Sequence, residues 1–226
     1  MSTNSVAATD HDSSQPKPLL RGWSHVVAFL AMAALGVVLL ATVEATSRQR
    51  LWLTLYVLGT LSMFGVSAMY HRVNWQPTAL RRMQRLDHST IFLAIAGAYT
   101  PIAVVCLDSW YRPAVLITVW VGAVVGISLQ WLPIRVPRRI SAAVYVIVGW
   151  SMGLAMPQLY RGMGPLGFGL VLGGGLAYTI GALVYALKRP DPWPTVFGYH
   201  EVFHAFTIVG AGLHLASIAF AVVPKL

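Results

Sequence analysis

Seven long apolar runs dominate the sequence and limit the folds that it can adopt. Each run is close to the ~20 residues that an α-helix needs to cross the hydrocarbon core of a bilayer. Because no backbone polar group can stay unpaired in lipid, runs of this length are expected to be helical. We place them at approximately 23–45, 51–71, 87–107, 113–132, 139–157, 165–187 and 201–223. The sequence therefore predicts an all-α polytopic membrane protein, built as a seven-helix transmembrane bundle.

The composition agrees with a membrane protein and argues against several soluble classes. Of the 226 residues, 57% are hydrophobic and 10% are charged, whereas a soluble domain carries about 25% charged residues. The single cysteine, Cys106, excludes an internal disulfide and a cysteine-rich zinc module. The formal net charge of +9 comes from Lys and Arg that lie between the apolar runs. We therefore expect membrane lipids with anionic headgroups as partners, and no nucleic acid.

Residues 1–22 differ from the rest of the chain because they are mostly polar or small and include Pro16 and Pro18. We interpret them as a disordered cytoplasmic tail, and residues 23–226 as one transmembrane domain. The first apolar run begins near Trp23 and is too long for the apolar part of a signal peptide, so none is apparent. No internal repeat or second domain is indicated.

The distribution of Lys and Arg between the runs predicts the orientation of the bundle. The tail and the second, fourth and sixth connections hold most of them: Lys17, Arg21, Arg72, Arg81, Arg82, Arg85, Arg135, Arg138, Arg139, Lys188 and Arg189. The remaining connections and the C-terminal end hold fewer: Arg48, Arg50, Arg112, Arg161 and Lys225. The positive-inside rule then places the N-terminus in the cytoplasm and the C-terminus outside. We expect a multi-pass protein of the inner (plasma) membrane.

Two histidines four residues apart, His200 and His204, mark the start of the last run. Residues with this spacing lie about 40° apart around a helix, so both imidazoles face one way and can bind one metal ion. Ionisable groups at membrane depth cost roughly 2.5–3.5 kcal/mol each and usually mark a site inside the bundle. In the predicted orientation, the second run ends at His71 on the same side, and the third run begins there at Asp87. Three helices are thus expected to bring metal-binding side chains to one depth, near the cytoplasmic face.

The chemistry of these side chains predicts a Zn²⁺ site with an open position. Neutral imidazole binds Zn²⁺ at about 2.0–2.1 Å, and three histidines with one open position are typical of catalytic zinc. The predicted ligands are His71, His200 and His204, with water in the fourth position. Asp87 can hold that water by a hydrogen bond or take its proton. Ser67, one helical turn before His71, can support the water or stabilise a developing oxyanion.

The other histidines, and two of the site residues, also have simpler interpretations. His71 and Asp87 can be interfacial residues at helix ends, with Asp87 favoured by the positive end of the helix dipole. We interpret His25, His88 and His214 as histidines that donate hydrogen bonds to neighbouring helices. His214 lies ~21 Å along its helix from the first histidine of the pair, which is too far to bind the same ion.

Two other kinds of site, that of a zincin protease and that of a retinal protein, are not favoured. The pattern His-Glu-x-x-His at 200–204 matches the zincin metalloproteases, in which the glutamate is the general base. Glu201, however, points about 100° away from His200, and an intramembrane protease of this type needs a metal-binding aspartate on a later helix. A retinal protein is not expected, because no predicted span contains the lysine that a Schiff base requires.

Three stretches of the sequence resemble motifs of the bacterial hemolysin III proteins. They are Ser67-Ala-Met-Tyr-His71, the stretch 85–101 that contains Asp87, and Gly198-Tyr-His-Glu-Val-Phe-His204. The hemolysin III proteins belong with the progestin and adipoQ receptors (the PAQR family) and, more distantly, with the alkaline ceramidases. The resemblance covers the region from about residue 23 to residue 223, and the motifs appear in the family's order.

The resemblance implies a seven-helix bundle with a cytoplasmic N-terminus and a zinc ion near the inner face. By motif match, the zinc ligands would be His71, His200 and His204. Asp87 and Ser67 would be the polar partners of the water bound to zinc. The long N-terminal domain of the animal receptors has no counterpart in this sequence, so recognition of a hormone is not expected.

These observations predict a zinc-dependent hydrolase of a lipid amide or ester, such as a ceramide-like molecule, acting in membrane lipid homeostasis. The alternative is a seven-helix receptor or sensor that binds a lipid, such as a fatty-acyl ligand, and in which zinc is structural. A cytolysin or channel is a third alternative, although no span shows a clear polar stripe to line a pore.

Overall fold

The computed structural model describes residues 17–133 and 137–226 of the chain. In these residues the regular structure is helical, apart from one isolated bridge between Trp193 and Phe197. The α-helices are α1 (Trp23–Thr42), α2 (Ser47–Arg72), α3 (Pro77–Cys106), α4 (Tyr111–Trp131), α5 (Arg138–Gly149), α6 (Met156–Leu187) and α7 (Tyr199–Ser217). A 3₁₀ turn, Ser151–Ala155, joins α5 to α6, and further short helical turns follow α7.

Six segments of the described chain are long and apolar enough to cross a membrane. One of them, Arg138–Leu187, is 50 residues long and contains both the fifth and the sixth predicted runs. The all-helical, multi-pass character expected from the sequence is therefore confirmed. The number of seven crossings, and the sides on which the termini lie, remain predictions.

The segment that contains α5 and α6 folds back on itself at Gly164. This glycine has φ 72° and is followed by a proline inside α6, and the combination interrupts the helix. On the two sides of this point, Arg138 lies against the ring of Tyr185, 5.4 Å from its centroid. Closer to the turn, Trp150 Nε1 donates to Thr179 Oγ1 at 2.9 Å. These pairs show that α5 and the second half of α6 run antiparallel to each other.

The centre of the bundle depends on the close approach of α2 and α3. A Cβ atom at Gly59 would lie 2.6 Å from the carbonyl oxygen of Leu93, and one at Gly97 would lie 2.6 Å from that of Leu55. Small residues allow helix backbones in membranes to approach this closely. This close packing fixes the position of α2 relative to α3. Side chains near the end of α2 and the start of α3 are therefore held at fixed positions relative to each other.

One end of the bundle brings together the end of α2 and the start of α7. We call it the histidine end, because His71 and His200 meet there. At the opposite end, Gln49 Nε2 at the start of α2 donates to Leu226 O at 3.0 Å. The contact between His71 and His200 agrees with the predicted arrangement, in which α2 ends where α7 begins.

Most of the predicted tail, residues 1–22, lies outside the described residues. Its described part forms a turn before α1, in which Leu19 N donates to Thr195 O at 3.0 Å and Leu20 N donates to Val196 O at 3.2 Å. These two bonds hold the chain before α1 against the loop that leads into α7.

Candidate metal centre

Three histidines from two helices converge at the histidine end. The Nε2 atoms of His71 on α2 and His200 on α7 are 3.1 Å apart. The ring of His204 has its centroid 4.5 Å from that of His200 and 5.1 Å from that of His71. One ring nitrogen of each residue lies within 4.8 Å of those of the other two. The four-residue spacing puts two of the rings on one face of α7, and α2 supplies the third.

The geometry of the three histidines suits a metal ion. Two nitrogens bound to one tetrahedral Zn²⁺ at 2.0–2.1 Å are about 3.3 Å apart, close to the 3.1 Å between His71 and His200. His71 and His204 are only 4% and 1% exposed. Among the described residues, Nδ1 of His204 is buried and has no hydrogen-bond partner, and buried polar atoms normally have one. The cluster can therefore hold a metal ion, and imidazole ligands suit zinc, copper or nickel.

Asp87 and Ser67 lie beside the histidines and line the same cavity, whose volume is about 70 Å³. The Ser67 hydroxyl, on α2, lies close enough to the carboxylate of Asp87, on α3, to interact with it. Ser67 is buried and Asp87 is half-buried. The structure thus brings together in one cavity all the side chains that the sequence indicated for the site. Their roles as ligands and catalytic groups remain predictions.

His25 is also part of the cluster, and sequence analysis did not assign it to the site. Its ring stacks on that of His204, with centroids 3.8 Å apart and planes 16° from parallel. Its Nε2 lies 3.1 Å from Thr207 Oγ1, on a residue 182 positions away in the sequence. The expected hydrogen bond to a neighbouring helix is present, but the stacking on a predicted ligand has no local signal in the sequence.

The other two histidines of the described residues, His88 and His214, do not join the cluster. His88 lines the cavity, but its Nδ1 lies 2.7 Å from Gln84 O of its own helix. The expected bond to a neighbouring helix is replaced by this one, because the carbonyl one turn earlier is within reach. His214 Nε2 lies 3.3 Å from Val171 O on α6, which matches the expectation for that residue.

The carboxylate of Glu201 is fully engaged in contacts outside the three-histidine cluster. Glu201 is 1% exposed, and its Oε1 accepts a hydrogen bond from Nε of the partly buried Arg21 in an ion pair. Its Oε2 accepts one from the amide of Gly198 at 2.8 Å. A carboxylate held in this way does not suit the general base of a zincin, in agreement with the sequence analysis. The pairing with Arg21 was not predicted.

A second cavity of about 90 Å³ adjoins the first and extends toward the middle of the bundle. The side chains that line both cavities are those of Met63, Ile91, Tyr145, Ala182, Phe203 and Thr207. The wall of the second cavity includes His214, which lies about 15 Å along α7 from His204. The polar site therefore adjoins a mostly apolar space that follows α7 into the bundle.

Comparison with known proteins extends these observations. The chain is similar to "Hemolysin-3" of Bacillus cereus, with 28% identity over 198 residues that cover 87% of each protein. It is 27% identical to "Hemolysin-3 homolog" of Bacillus subtilis over 167 residues, which are 74% of this chain and 75% of that protein. It is 26% identical to "Adiponectin receptor protein" of Drosophila melanogaster over 216 residues, which cover 87% of this chain and 49% of that protein. Residues 13–215 match the family model described as "Haemolysin-III related". The resemblance based on three motifs is thus confirmed, and the chain belongs to the haemolysin-III related family.

Proposed function

We propose that the protein is an intramembrane zinc-dependent hydrolase of a lipid amide or ester, comparable to a ceramidase, that acts in membrane lipid homeostasis. The observation that carries the proposal is the Ser67–Asp87 pair beside three histidines in one cavity. A purely structural zinc site normally has four protein ligands. Here the described residues offer three clustered imidazoles and, next to them, a carboxylate that lies close to a hydroxyl group.

The side chains around the site have distinct parts in the proposed reaction. When bound by His71, His200 and His204, zinc supplies Lewis acidity to a carbonyl oxygen and makes water more acidic. Asp87 takes a proton from water as the water oxygen adds to the carbonyl carbon. It returns the proton to the departing amine or alcohol as the C–N or C–O bond breaks.

We infer for Ser67 a different part from the oxyanion contact considered from the sequence. A serine hydroxyl has one proton to donate, and Ser67 lies close enough to Asp87 to donate it to that carboxylate. This hydrogen bond would fix the direction of the carboxylate relative to the water. We therefore infer that Ser67 orients the base and does not bind the developing oxyanion.

The second cavity supports a substrate with an acyl chain. With the scissile carbonyl at the three histidines, the acyl chain of the substrate would follow α7 through the apolar space toward His214. The hydroxyl-bearing rings of Tyr145 and Tyr185, together with Arg138, line the first cavity. They offer polar contacts to the headgroup side of the scissile bond.

We also infer that the bundle has seven spans, with the N-terminus in the cytoplasm and the C-terminus outside, in the inner (plasma) membrane. The antiparallel packing of α5 against the second half of α6 supports two crossings within Arg138–Leu187. Most of the Lys and Arg that define the predicted cytoplasmic side belong to segments at the histidine end. Arg135 lies outside the described residues.

The test is to measure zinc content and lipid turnover on the same purified samples, in mild detergent and without a histidine tag. The substrates would be a ceramide and a phospholipid ester. We expect Asp87→Asn to keep about one zinc per chain and to reduce turnover by roughly 10²–10⁴-fold, as loss of a general base does.

The matched controls are Asp108→Asn and Ser62→Ala. Asp108 is an exposed carboxylate, and the hydroxyl of Ser62 donates a hydrogen bond to Gly59 O on α2. Both should keep full turnover, whereas Ser67→Ala should reduce it. A wild-type protein that contains zinc but hydrolyses neither substrate, with no change of cellular lipids in a His204→Ala strain, would count against an enzyme.

The second candidate is a lipid receptor or sensor with a structural zinc. It is favoured by the position of the three histidines, because one ion would join α2 to α7, and by the name of the Drosophila relative. In this case His71→Ala should lower the Tm without altering lipid turnover, and Asp87→Asn should leave both unchanged.

A further inference from the structure

We propose that the residues before and at the start of α1 position the metal ligands, although they contribute none. We call residues 19–25 the N-terminal strap, and its positioning residues are Arg21 and His25. The inference rests on the proposed metal site and adds to it a set of residues that determine its affinity.

The first contact of the strap holds the start of α7, the helix that carries two ligands. Glu201 lies between His200 and His204 in the sequence, and it is buried in an ion pair with Arg21. Its second oxygen accepts the amide proton of Gly198, the residue that precedes α7. The first turn of α7 is thus fixed by a carboxylate that is itself held by the strap. A rotation of α7 about its axis would move both imidazoles away from the third ligand.

The second contact of the strap is with the ligand on α2. Gly22 has φ 80°, and a Cβ atom at this position would lie 2.7 Å from Cβ of His71. The backbone of the strap therefore passes directly over this histidine, in a conformation and at a distance that favour glycine. The strap is in turn anchored to the loop before α7 by the amides of Leu19 and Leu20.

The third contact is the stacking of His25 on His204. Thr207 Oγ1 donates to His204 O at 2.7 Å, so its oxygen is available to accept the proton on Nε2 of His25, 3.1 Å away. This bond fixes the orientation of the His25 ring, and the stacked ring limits the rotation of His204.

All three contacts act on ligands or on the turn that carries them. A metal site with ligands from two helices depends on the relative position of those helices, and the strap contacts both. Groups that orient metal ligands from outside the coordination shell typically change metal affinity by about 10–100-fold when they are removed. A strap that served only to close the bundle would contribute to the stability of metal-free and metal-loaded protein alike.

The experiment compares wild type, Arg21→Met, Glu201→Gln and the double variant, with Arg139→Met as a control. Arg139 is an exposed arginine next to Arg138, so its substitution removes the same charge without removing the ion pair. Two quantities would be measured in mild detergent: zinc affinity, by competition with a chelating dye, and the Tm of metal-free and zinc-loaded protein.

We expect Arg21→Met to weaken zinc binding by about 10–100-fold and to reduce the gain in Tm that zinc produces. The zinc affinity of the double variant should equal that of the single variant with the lower affinity, because the two side chains act as a unit. Arg139→Met should match the wild type in both measurements. If Arg21→Met does not fold, Thr207→Val carries the test, since it removes the anchor of His25 without changing a charge. It should weaken zinc binding a few-fold.

Two results would overturn the inference, and they can be told apart. If wild type binds zinc and the variants bind it equally well, while the Tm of both forms falls by the same amount, the strap serves only the fold. If the wild type has no affinity for zinc, the metal site itself is wrong, and the strap has no ligands to position.

Discussion

At the scale of single side chains, protons and a metal ion would compete for the three histidines of the candidate centre. Only the neutral imidazole binds a metal ion, so binding displaces protons. The nitrogens of the cluster lie within 4.8 Å of one another, and protonated rings at that distance repel each other. Metal binding should therefore stabilise the fold at neutral pH, and this stabilisation should decrease as the pH falls.

We expect the gain in Tm on adding zinc to be largest near neutral pH and to decrease as the pH falls, because protons displace the ion. Thermal unfolding at neutral and at acidic pH, with and without zinc, measures it. The Tm of His204→Ala should not respond to zinc at any pH. A gain that persists unchanged in acid would show that imidazoles are not the ligands.

The residues of the site differ in how far the sequence could predict them. His200 and His204 are one helical turn apart, so their common face follows from helix geometry alone. Arg21 and Glu201 are separated by 180 residues, and nothing in the local pattern distinguishes this arginine from those that contact lipid headgroups. His25 was missed for the same reason, since the residues that it contacts, Phe64 on α2 and His204 and Thr207 on α7, are distant from it in the sequence.

At the scale of the helices, α2 and α3 form the support of the site, because Asp87 and His71 lie on them. Their separation is set by Gly59 and Gly97, each of which faces a carbonyl oxygen of the other helix. Any side chain at these positions must push the helices apart. A methyl group added at the contact between α2 and α3 should therefore reduce stability more than one added elsewhere in the bundle.

We expect Gly97→Ala to destabilise the protein by about 1–3 kcal/mol, as overpacking of a close contact does, and to lower zinc affinity. The matched control is Gly212→Ala on α7, where an added Cβ meets no atom of the described residues within 4 Å. That change should be neutral or slightly stabilising, because alanine is the better helix former. Thermal unfolding of the two variants distinguishes them, and equal Tm values would contradict a tight α2–α3 contact.

Apolar runs predicted where helices lie but not how far they extend. The third run was placed at 87–107, whereas α3 begins at Pro77. Proline suits the first turn of a helix, and the polar residues that follow it form helix outside the apolar region, where a hydropathy pattern gives no signal. Similarly, the sixth run was placed at 165–187, and the helix assigned there begins at Met156 and bends at Gly164.

At the scale of the whole molecule, the positive charges are distributed unequally between the two ends of the bundle. Arg82 on α3 and Lys188 after α6 belong to the end with more of them, while Arg48 on α2 and Lys225 belong to the other. This asymmetry predicted the orientation, and it depends on residue counts in short connections, which the sequence shows directly.

We expect an impermeant maleimide to label Arg48→Cys in intact cells and to label Arg82→Cys only after the membrane is opened. Both positions are exposed. The background would be Cys106→Ala, which removes the buried native thiol. The opposite labelling pattern would invert the bundle and place the candidate metal centre at the outer face.

The two helices that carry the three clustered histidines, α2 and α7, are far apart in the order of synthesis. His71 and His200, whose Nε2 atoms meet in the folded protein, are 129 residues apart in the chain. At roughly 5–20 residues per second, α2 is made many seconds before α7. The ion pair between Glu201 and Arg21 also forms only after the start of α7 has been made. Metal loading of the candidate centre would therefore be among the last steps of biogenesis. A chain that stops before α7 cannot assemble this three-histidine cluster, so zinc content would report on completed protein and could be used to separate mature from immature molecules in the cell.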